Sequence, residues 1–272
     1  MTRAVKNNQQ GTNMRRFFPA IISIALVVGG IVAAAPASAI SYASQRGGAA
    51  VKFVPRQIRA ANKRFRYTVK ARYPQAAGAA RDPRLAKMNR ELLKMVTSGV
   101  TEFRSNFKTY EKPMGSAGSY YDSSYVVTLA TNDLVSVAFG ISTYGEGAAH
   151  PNHNTITFNY DLRAGKELKL ADLFKPNSDY LKVISDYAIK DLAEQIRGEM
   201  SGDDPDTDWI REGAGPKEEN YRSWNLSPKG LEINFDPYQV ASYAAGPHEV
   251  VIPLSALQDV IDPDGPLGRL QK

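Results

Sequence analysis

Two strand-like segments separated by three residues place the strongest constraint on the fold. Residues 120–130 and 134–144 are rich in Tyr, Val and Thr, which favour extended backbone. Thr131, Asn132 and Asp133 join them, and a connection of that length is typical of a β-hairpin. Because an isolated hairpin is only marginally stable in water, the pair predicts an antiparallel sheet with further strands and a covered face.

The remaining patterns predict more strands and two long helices. Polar and apolar residues alternate from Phe65 to Tyr73, and we expect Pro74 to end that strand. Asp82 and Pro83 supply a helix cap and a first-turn proline ahead of an apolar stripe with helical spacing. Further predictions are strands at 155–161, 221–226, 231–235 and 249–252, a short strand at 167–170, a second long helix after Ser178 or Asp179, a closing helix at 254–261, and a loop or short irregular element at 198–220 anchored by Trp209 and Ile210. Together they predict a single-domain α+β fold, a mainly antiparallel sheet packed against two longer helices.

The first 39 residues have the order of a cleavable export signal. Cations without any acid precede an apolar run at 20–35, and residues 37–39 form a small-residue cleavage motif. The cations are Arg3, Lys6, Arg15 and Arg16. We expect cleavage before Ile40, with Met14 as an alternative start; an uncleaved anchor helix is the other interpretation, since the run is short for a span. The protein is therefore predicted to be periplasmic or secreted, with membrane contact only during export.

Charge is divided unevenly along the exported chain. Without the leader, 30 of the 34 Lys/Arg remain against 28 Asp/Glu, yet residues 40–112 hold 17 basic and 4 acidic side chains. Residues 113–272 hold 13 basic and 24 acidic ones. We interpret 40–64 as a flexible basic lead segment, 65–262 as the folded domain and 263–272 as a frayed tail. The two charged parts either fold on each other or leave the basic segment to contact anionic wall polymers or lipid headgroups.

The sequence selects no catalytic or metal site. There is no Cys, which excludes thiolate chemistry, disulfides and a lipoprotein anchor. The Gly-x-Ser-x-Gly elbow of α/β-hydrolases is absent, as are the glycine-rich phosphate and dinucleotide loops. His150 and His153, with His248, could form a triad or a zinc site after folding, but Pro151 prevents a regular helix across the first two. We therefore expect no metal, no cofactor and, since the basic segment lacks a recognisable motif, no nucleic-acid partner.

Two stretches of the chain carry a family resemblance. The first is Tyr-Gly-Glu-Gly-Ala-Ala-His-Pro-Asn at 144–152, followed by Phe-Asn-Tyr-Asp-Leu-Arg-Ala-Gly-Lys-Glu-Leu at 158–168 and Asp-Leu-Phe at 172–174. The second is Leu-Ser-Pro-Lys-Gly-Leu at 226–231, then Phe-Asp-Pro-Tyr-Gln-Val-Ala-Ser-Tyr-Ala-Ala-Gly-Pro-His-Glu-Val at 235–250. Together with the segment around Tyr73, these stretches resemble the RsiV-like extracytoplasmic domain family over residues 65–262.

The resemblance implies work at the cell wall. Members of that family include the lysozyme-sensing outer domain of anti-sigma factors and an accessory domain beside a peptidoglycan deacetylase. This chain has no cytoplasmic sigma-binding region ahead of its apolar segment and no catalytic domain after residue 262, so we expect a stand-alone secreted member. Some secreted relatives have been regarded as esterase-like, which keeps a hydrolase with an unrecognised Ser/His pair as the alternative.

The leading hypothesis is a cofactor-free binding module for cell-wall glycan or for a wall-directed protein such as lysozyme. We expect His150, Tyr238, Tyr243 and His248 to line one groove, since loops rich in Tyr and small residues suit stacking on sugar rings or contact with a protein. The candidate binding residues are Tyr144, Glu146, His150, His153, Tyr238, Tyr243 and His248. A third hypothesis is a structural envelope protein whose basic lead segment touches anionic polymers, and the oligomeric state stays open.

Overall fold

The structure, a computed structural model, describes residues 50–107, 118–199 and 206–271. The predicted export signal at 1–39 lies outside these residues and stays a prediction. The described strands are β1 (Phe53–Asn62), β2 (Tyr67–Ala76), β3 (Ser119–Ala130), β4 (Leu134–Tyr144), β5 (Asn152–Asp161), β6 (Lys166–Glu167), β7 (Trp224–Ser227), β8 (Gly230–Phe235) and β9 (His248–Ile252). The described helices are α1 (Pro83–Ser105), α2 (Tyr180–Glu199), α3 (Thr207–Ala214), α4 (Leu254–Leu257) and α5 (Pro266–Gln271), with 3₁₀ turns at Leu170–Leu173, Glu218–Tyr221 and Tyr243–Ala245.

The strands form two sheets, and the predicted α+β fold is confirmed. One sheet has six strands in the order β1-β2-β3-β4-β5-β6, and the other has the order β7-β8-β9. Neighbouring strands pair antiparallel except β2 and β3, which run parallel because α1 makes the crossover between them. The predicted hairpin is confirmed, since β3 and β4 pair from Tyr120 opposite Tyr144 to Ala130 opposite Val135.

The six-stranded sheet has two unlike faces. Its core face packs on α1, and Val69, Phe139 and Phe158 of that face are buried in one cluster with Met88 and Leu92 of the helix. The side chains between them point to the other side, because successive residues of a strand alternate. We call this second side the open face, and it is exposed at Ser124, Val126 and Gly140 of β3 and β4.

Helix α1 begins as its sequence predicts. Asp82 caps it by accepting a hydrogen bond from the Arg84 amide at 2.9 Å, and Pro83 occupies the first turn, where no backbone donor is needed. The buried apolar stripe is Met88, Leu92, Val96, Val100 and Phe103. Asn89, also buried, exchanges two hydrogen bonds with the backbone of Ala76, which fixes the helix against the end of β2.

The basic segment was predicted wrongly in part, because residues 53–62 are a strand. β1 pairs with β2 over ten residues, so the folded domain includes Phe53 and does not begin at Phe65. An edge strand buries few side chains, and only Phe53, Ile58 and Ala60 pack partly on the core, which left no clear period to detect. Pro74 does not end β2 either: it lies opposite Pro55, and such a pair is compatible with a ladder position that exchanges no hydrogen bonds.

A second hydrophobic core lies between the three-stranded sheet, α2 and α3. Ile184, Ala188 and Leu192 of α2 are fully buried there with Leu231 and Ile233 of β8. The predicted loop at 198–220 in fact contains α3, which Asp206 caps by accepting from the amides of Asp208 and Trp209. The cap makes a helix possible in a segment that composition alone marked as irregular.

A buried polar seam joins the two sheets. The Ser136 hydroxyl on β4 donates to Asn159 Oδ1 at 2.6 Å, and Asn159 Nδ2 donates to the Trp224 carbonyl at 2.7 Å. Asn225 Nδ2 and the Leu226 amide both donate to Ser136 Oγ at 2.9 Å. Since buried polar groups are costly without partners, these bonds fix how β7 sits on β4 and β5.

The described residues 263–271 are folded, contrary to the frayed tail predicted at 263–272. α5 buries Pro266, Leu267 and Gly268, and Arg269 pairs with the almost fully buried Asp161 at the end of β5. This long-range ion pair was invisible in the local pattern. The closing helix is also shorter than predicted, since α4 ends at Leu257. Within the described part of the chain, the helices include none with the length and apolarity to cross a membrane.

Candidate functional site

Four of the seven predicted binding residues meet at the start of β5. The Tyr243 ring stacks on the His150 ring with centroids 4.0 Å apart and 28° between planes. Tyr238 lies 5.5 Å from Tyr243 and 6.4 Å from His150, and His153 lies 6.4 Å from Tyr243. We call these four residues, His150, His153, Tyr238 and Tyr243, the aromatic platform. It brings together two loops that are almost ninety residues apart in sequence.

One carbonyl oxygen orients two of the platform rings. The Pro151 carbonyl accepts a hydrogen bond from Tyr243 Oη at 2.9 Å and lies 2.9 Å from His150 Nδ1. A carbonyl can only accept, so Nδ1 carries the proton in this contact. With that proton on Nδ1, Nε2 can accept a hydrogen bond from Tyr238 Oη at 3.5 Å. Hydrogen bonds thus hold the rings of the platform in place, and they already engage part of the hydrogen-bonding capacity of His150, Tyr238 and Tyr243.

Tyr238 is exposed, as His153 is, and it has an unusual backbone conformation. Its φ of 72° is in the left-handed region, which a tyrosine adopts rarely. The indole Nε1 of Trp209 in α3 donates to the Tyr238 carbonyl at 3.1 Å and fixes this conformation. The side chain is 55% exposed, so a large ring is presented to solvent from a strained position. Strain of this kind collects at functional sites.

Asp236 anchors the loop that carries Tyr238 and Tyr243. Its Oδ1 accepts the Thr155 amide of β5 at 2.7 Å, while Ser223 Oγ donates to the Thr155 carbonyl at 2.6 Å. Burial raises the pKa of the Asp236 carboxyl, and the Thr155 hydrogen bonds only partly offset that effect. Both backbone groups of Thr155 are therefore engaged by the second sheet's connections, which places the loop directly beside His153.

The other three predicted residues lie elsewhere. Tyr144, at the end of β4, stacks on Tyr120 with centroids 5.9 Å apart. Glu146 accepts the Gly118 amide at 2.9 Å, which holds the start of β3 against the loop after β4. His248 is the first residue of β9, is 5% exposed and pairs with Phe235, so it does not line the same groove as His150. The expectation that His150 and His248 line one groove was therefore wrong.

The contacts of His150 bear on the Ser/His pair and the metal site that were considered from sequence. The ring nitrogens of His150 face the Pro151 carbonyl and the Tyr238 hydroxyl, and neither contact is with a serine of the kind that a Ser/His pair requires. Among the described residues, no three His, Asp or Glu side chains converge as a metal site would need. Exposed, pre-oriented aromatic rings with hydroxyl and imidazole edges can instead stack on a flat ligand and hydrogen-bond to its rim.

Sequence reasoning missed two residues that shape this site. Trp209 was assigned as an anchor of an irregular loop, and its contact with Tyr238 depends on α3. Asp236 stood inside a motif of turn residues, and nothing in its surroundings along the chain indicated Thr155 as its partner. The signal that could have found Asp236 is the unusual density of aromatic and proline residues at 235–247.

Comparison with known proteins gives a partial family match. Residues 171–255 match the family described as "Protein of unknown function (DUF3298)", a segment that includes Tyr238, Tyr243 and His248. The chain is also 27% identical over 175 residues to the peptidoglycan-N-acetylmuramic acid deacetylase of Bacillus subtilis, which covers 64% of this chain and 36% of that enzyme. The chain therefore spans about a third of the length of this relative.

Two solved structures share the fold. A member of the DUF3298 family from Bacteroides fragilis has a TM-score of 0.54 at 20% identity, covering 82% of this chain and 98% of that one. A DUF3298 family protein from Pseudomonas aeruginosa has a TM-score of 0.53 at 18% identity, covering 78% and 95%. At such identities the likeness concerns the fold alone.

Proposed function

We propose that this protein is an exported binding module that holds cell-wall glycan on the aromatic platform. The single observation that carries the proposal is the stack of His150 and Tyr243 beside the exposed, strained Tyr238. Pyranose rings present flat C–H faces, and aromatic side chains supply the large, rigid contact area that such faces pack on. The hydroxyl and imidazole groups at the platform's edge provide the hydrogen bonds that a sugar's own hydroxyl groups need when water is displaced.

Two further observations support work at the wall. One is the similarity to the Bacillus subtilis deacetylase, whose name states that it acts on peptidoglycan. The other is the basic and apolar leader of residues 1–39, which is what export requires. We infer a location in the periplasm or the medium and, as the finer assignment, membership of the RsiV-like domains.

The proposed site uses no cofactor and its geometry favours retention over turnover. The hydroxyl that meets Nε2 of His150 belongs to Tyr238, a ring that the proposed site uses for stacking, and the Pro151 carbonyl holds Nδ1. We therefore propose that the site catalyses no reaction, so that the glycan binds and is released unchanged. A hydrolase of the esterase type is the competing outcome that the experiment must separate.

Pull-down on purified, insoluble peptidoglycan tests the proposal. The protein is recovered from an exporting host, its N-terminus is determined, and retention is compared between wild type and Tyr238→Ala. We expect wild type to be retained at 0.5 M NaCl, since stacking is little screened by salt, and the variant to lose at least about tenfold in affinity, a loss of order 1.4 kcal/mol.

The matched control is Tyr187→Ala, which removes a half-buried tyrosine of α2 that packs on the second core. Immobilised lysozyme and a chromogenic acetyl ester are run in parallel. Retention on lysozyme alone would shift the function to a protein partner, and ester turnover by wild type without retention would support the hydrolase. Equal retention of Tyr238→Ala and wild type would rule out the platform as the site.

A further inference from the structure

One row of side chains crosses the open face without a break. Strand pairing puts His153 opposite Ser142, Ser142 opposite Asp122, Asp122 opposite Lys70, and Lys70 opposite Arg59. Directly opposed residues share a face of the sheet, so all five side chains point the same way. We call Arg59, Lys70, Asp122, Ser142 and His153 the cross-strand row. It spans five strands, and four steps of about 4.8 Å make it roughly 19 Å long.

The row begins at the aromatic platform. His153 belongs to both, and its ring lies 6.4 Å from Tyr243. Beside the row on the open face, Ser124 and Gly140 are exposed, and Val126 is 52% exposed. A bound polymer that stacks on the platform therefore has a continuous path of partly or fully exposed side chains leading away from it, bordered on one side by the stacked Tyr120 and Tyr144.

The far end of this path is cationic. Arg59 is exposed and Lys70 partly so, and Arg72, on the same face one row along, pairs with Asp122 at 3.7 Å. Three cations thus stand against one carboxylate. The hairpin of β1 and β2 adds to their field, since residues 50–76 contain no Asp or Glu; its cations are Lys52, Arg56, Arg59, Lys63, Arg64, Arg66, Lys70 and Arg72.

We propose that the cross-strand row selects an extended anionic glycan, a polysaccharide of acetamido sugars that also bears carboxylates. The neutral acetamido sugars stack on the platform, Ser142 and Asp122 hydrogen-bond to hydroxyl or amide groups along the path, and Arg59 and Lys70 pair with carboxylates at its far end. This inference rests on the proposed function and adds the charge and the length of the ligand. The cationic far end of the row is complementary to an anionic polysaccharide, and this favours an anionic ligand over a neutral one.

Two oligosaccharides of equal length provide the probes. One is chito-hexaose, which is neutral, and the other is a hyaluronan hexamer, in which N-acetylglucosamine alternates with glucuronate. Affinities are measured by calorimetry at 50 mM and 500 mM NaCl. We expect the hyaluronan hexamer to bind about fivefold more tightly than chito-hexaose at low salt, and the difference to shrink at high salt as exposed charges are screened.

The variant pair Arg59→Gln with Lys70→Gln tests the row itself. Removing both charges is expected to abolish the fivefold preference and to leave chito-hexaose binding unchanged. The matched control is Arg56→Gln, which removes a cation from the same strand; Arg56 lies opposite Tyr73 and so faces the other side of the sheet. Thermal unfolding of each variant shows whether the sheet is intact, and the salt dependence of wild type provides a test that needs no variant.

Three outcomes overturn the inference. If both hexamers bind equally and the double variant changes neither affinity, the row does not select charge, while the platform stands on its own Tyr238→Ala result. If an oligoglutamate of matching charge binds as tightly as the hyaluronan hexamer, the surface recognises a polyanion and no glycan. If neither hexamer binds, the proposed function fails together with the inference.

Discussion

The two faces of the six-stranded sheet are built from the same strands but have different surroundings: one packs on α1, and the other is partly exposed to solvent. On β5, Phe158 is fully buried against α1, whereas His153 and Thr157 point to the open face. On β4, Phe139 is buried and Gly140, the next residue, is exposed. The strand period of two therefore separates residues that hold the fold together from residues free to recognise a ligand. The difference between the faces teaches where substitutions should affect stability and where they should affect binding only.

The largest expected difference between the faces concerns stability. Phe158→Ala should lower the free energy of unfolding by about 3–5 kcal/mol, because the side chain is fully buried and stacks on Tyr160 with centroids 5.5 Å apart. The adjacent Thr157→Ala, on the open face, should cost about 0.5 kcal/mol or less. Urea unfolding of both variants measures the contrast. Similar losses at the two positions would show that the open face is covered.

The open-face side of β5 changes character where the second sheet covers it. Asn159→Ala should cost about 2 kcal/mol, since the Ser136 hydroxyl loses the acceptor for its proton and the Trp224 carbonyl loses the donor that Asn159 supplies. Asn154→Ala, an exposed asparagine of the same strand, is the control and should be close to neutral. Chemical denaturation checks both. An Asn159 variant as stable as wild type would mean that the polar seam does not join the sheets.

Within the platform, hydrogen bonds and rings can be separated. Tyr243→Phe keeps the stacked ring but removes the bond to the Pro151 carbonyl, so we expect a loss of about 1 kcal/mol in stability and little change in glycan affinity. Tyr238→Phe, whose bond to His150 is longer at 3.5 Å, should cost less. Unfolding curves and peptidoglycan retention are measured side by side. A loss of retention in Tyr243→Phe as large as in Tyr238→Ala would contradict the stacking role.

The smallest effect is a pH dependence at the loop anchor. Burial raises the pKa of Asp236 in the folded protein, so its favourable contribution is fully present below its unfolded pKa and is lost as pH rises through the folded value. Asp236→Asn removes this term while keeping an acceptor for the Thr155 amide. The variant should gain in stability relative to wild type as pH is raised from 3 to 7. Thermal unfolding is measured for both proteins across that range. If the stability of the variant relative to wild type were instead greatest at pH 3 and fell toward pH 7, the prediction would be refuted.

How much of this could be predicted follows from the range of each interaction. The cap and the apolar stripe of α1 depend on residues close together in sequence, so Asp82, Pro83 and Met88 predicted the helix correctly. β1 was missed because an edge strand is specified by its partner β2 more than by its own apolar period. α5 was missed because Arg269 finds Asp161 only in the folded chain. The apolar periods of strands (two residues) and helices (three to four residues) can be recognised in the sequence. Contacts between residues a hundred positions apart cannot.

The site shows the same division. His150, His153, Tyr238 and Tyr243 were predicted from residue type and family resemblance, and the structure brings them together. His248 was grouped with them because it is a histidine in the same motif, yet β9 buries it. The cross-strand row escaped notice because it depends on four strand registers at once. A one-residue slip in any of them would turn its side chain to the core face.

The most direct test of the central claim is an NMR titration of the purified protein with soluble peptidoglycan fragments. If the open face and its platform form the binding surface, amide shifts should change first at His150, His153 and Tyr238, then at Gly140 and Ser142, while Val69 and Phe139 on the core face keep their positions. Shift changes confined to α2 and α3, or none at saturating fragment, would contradict a glycan site on this face.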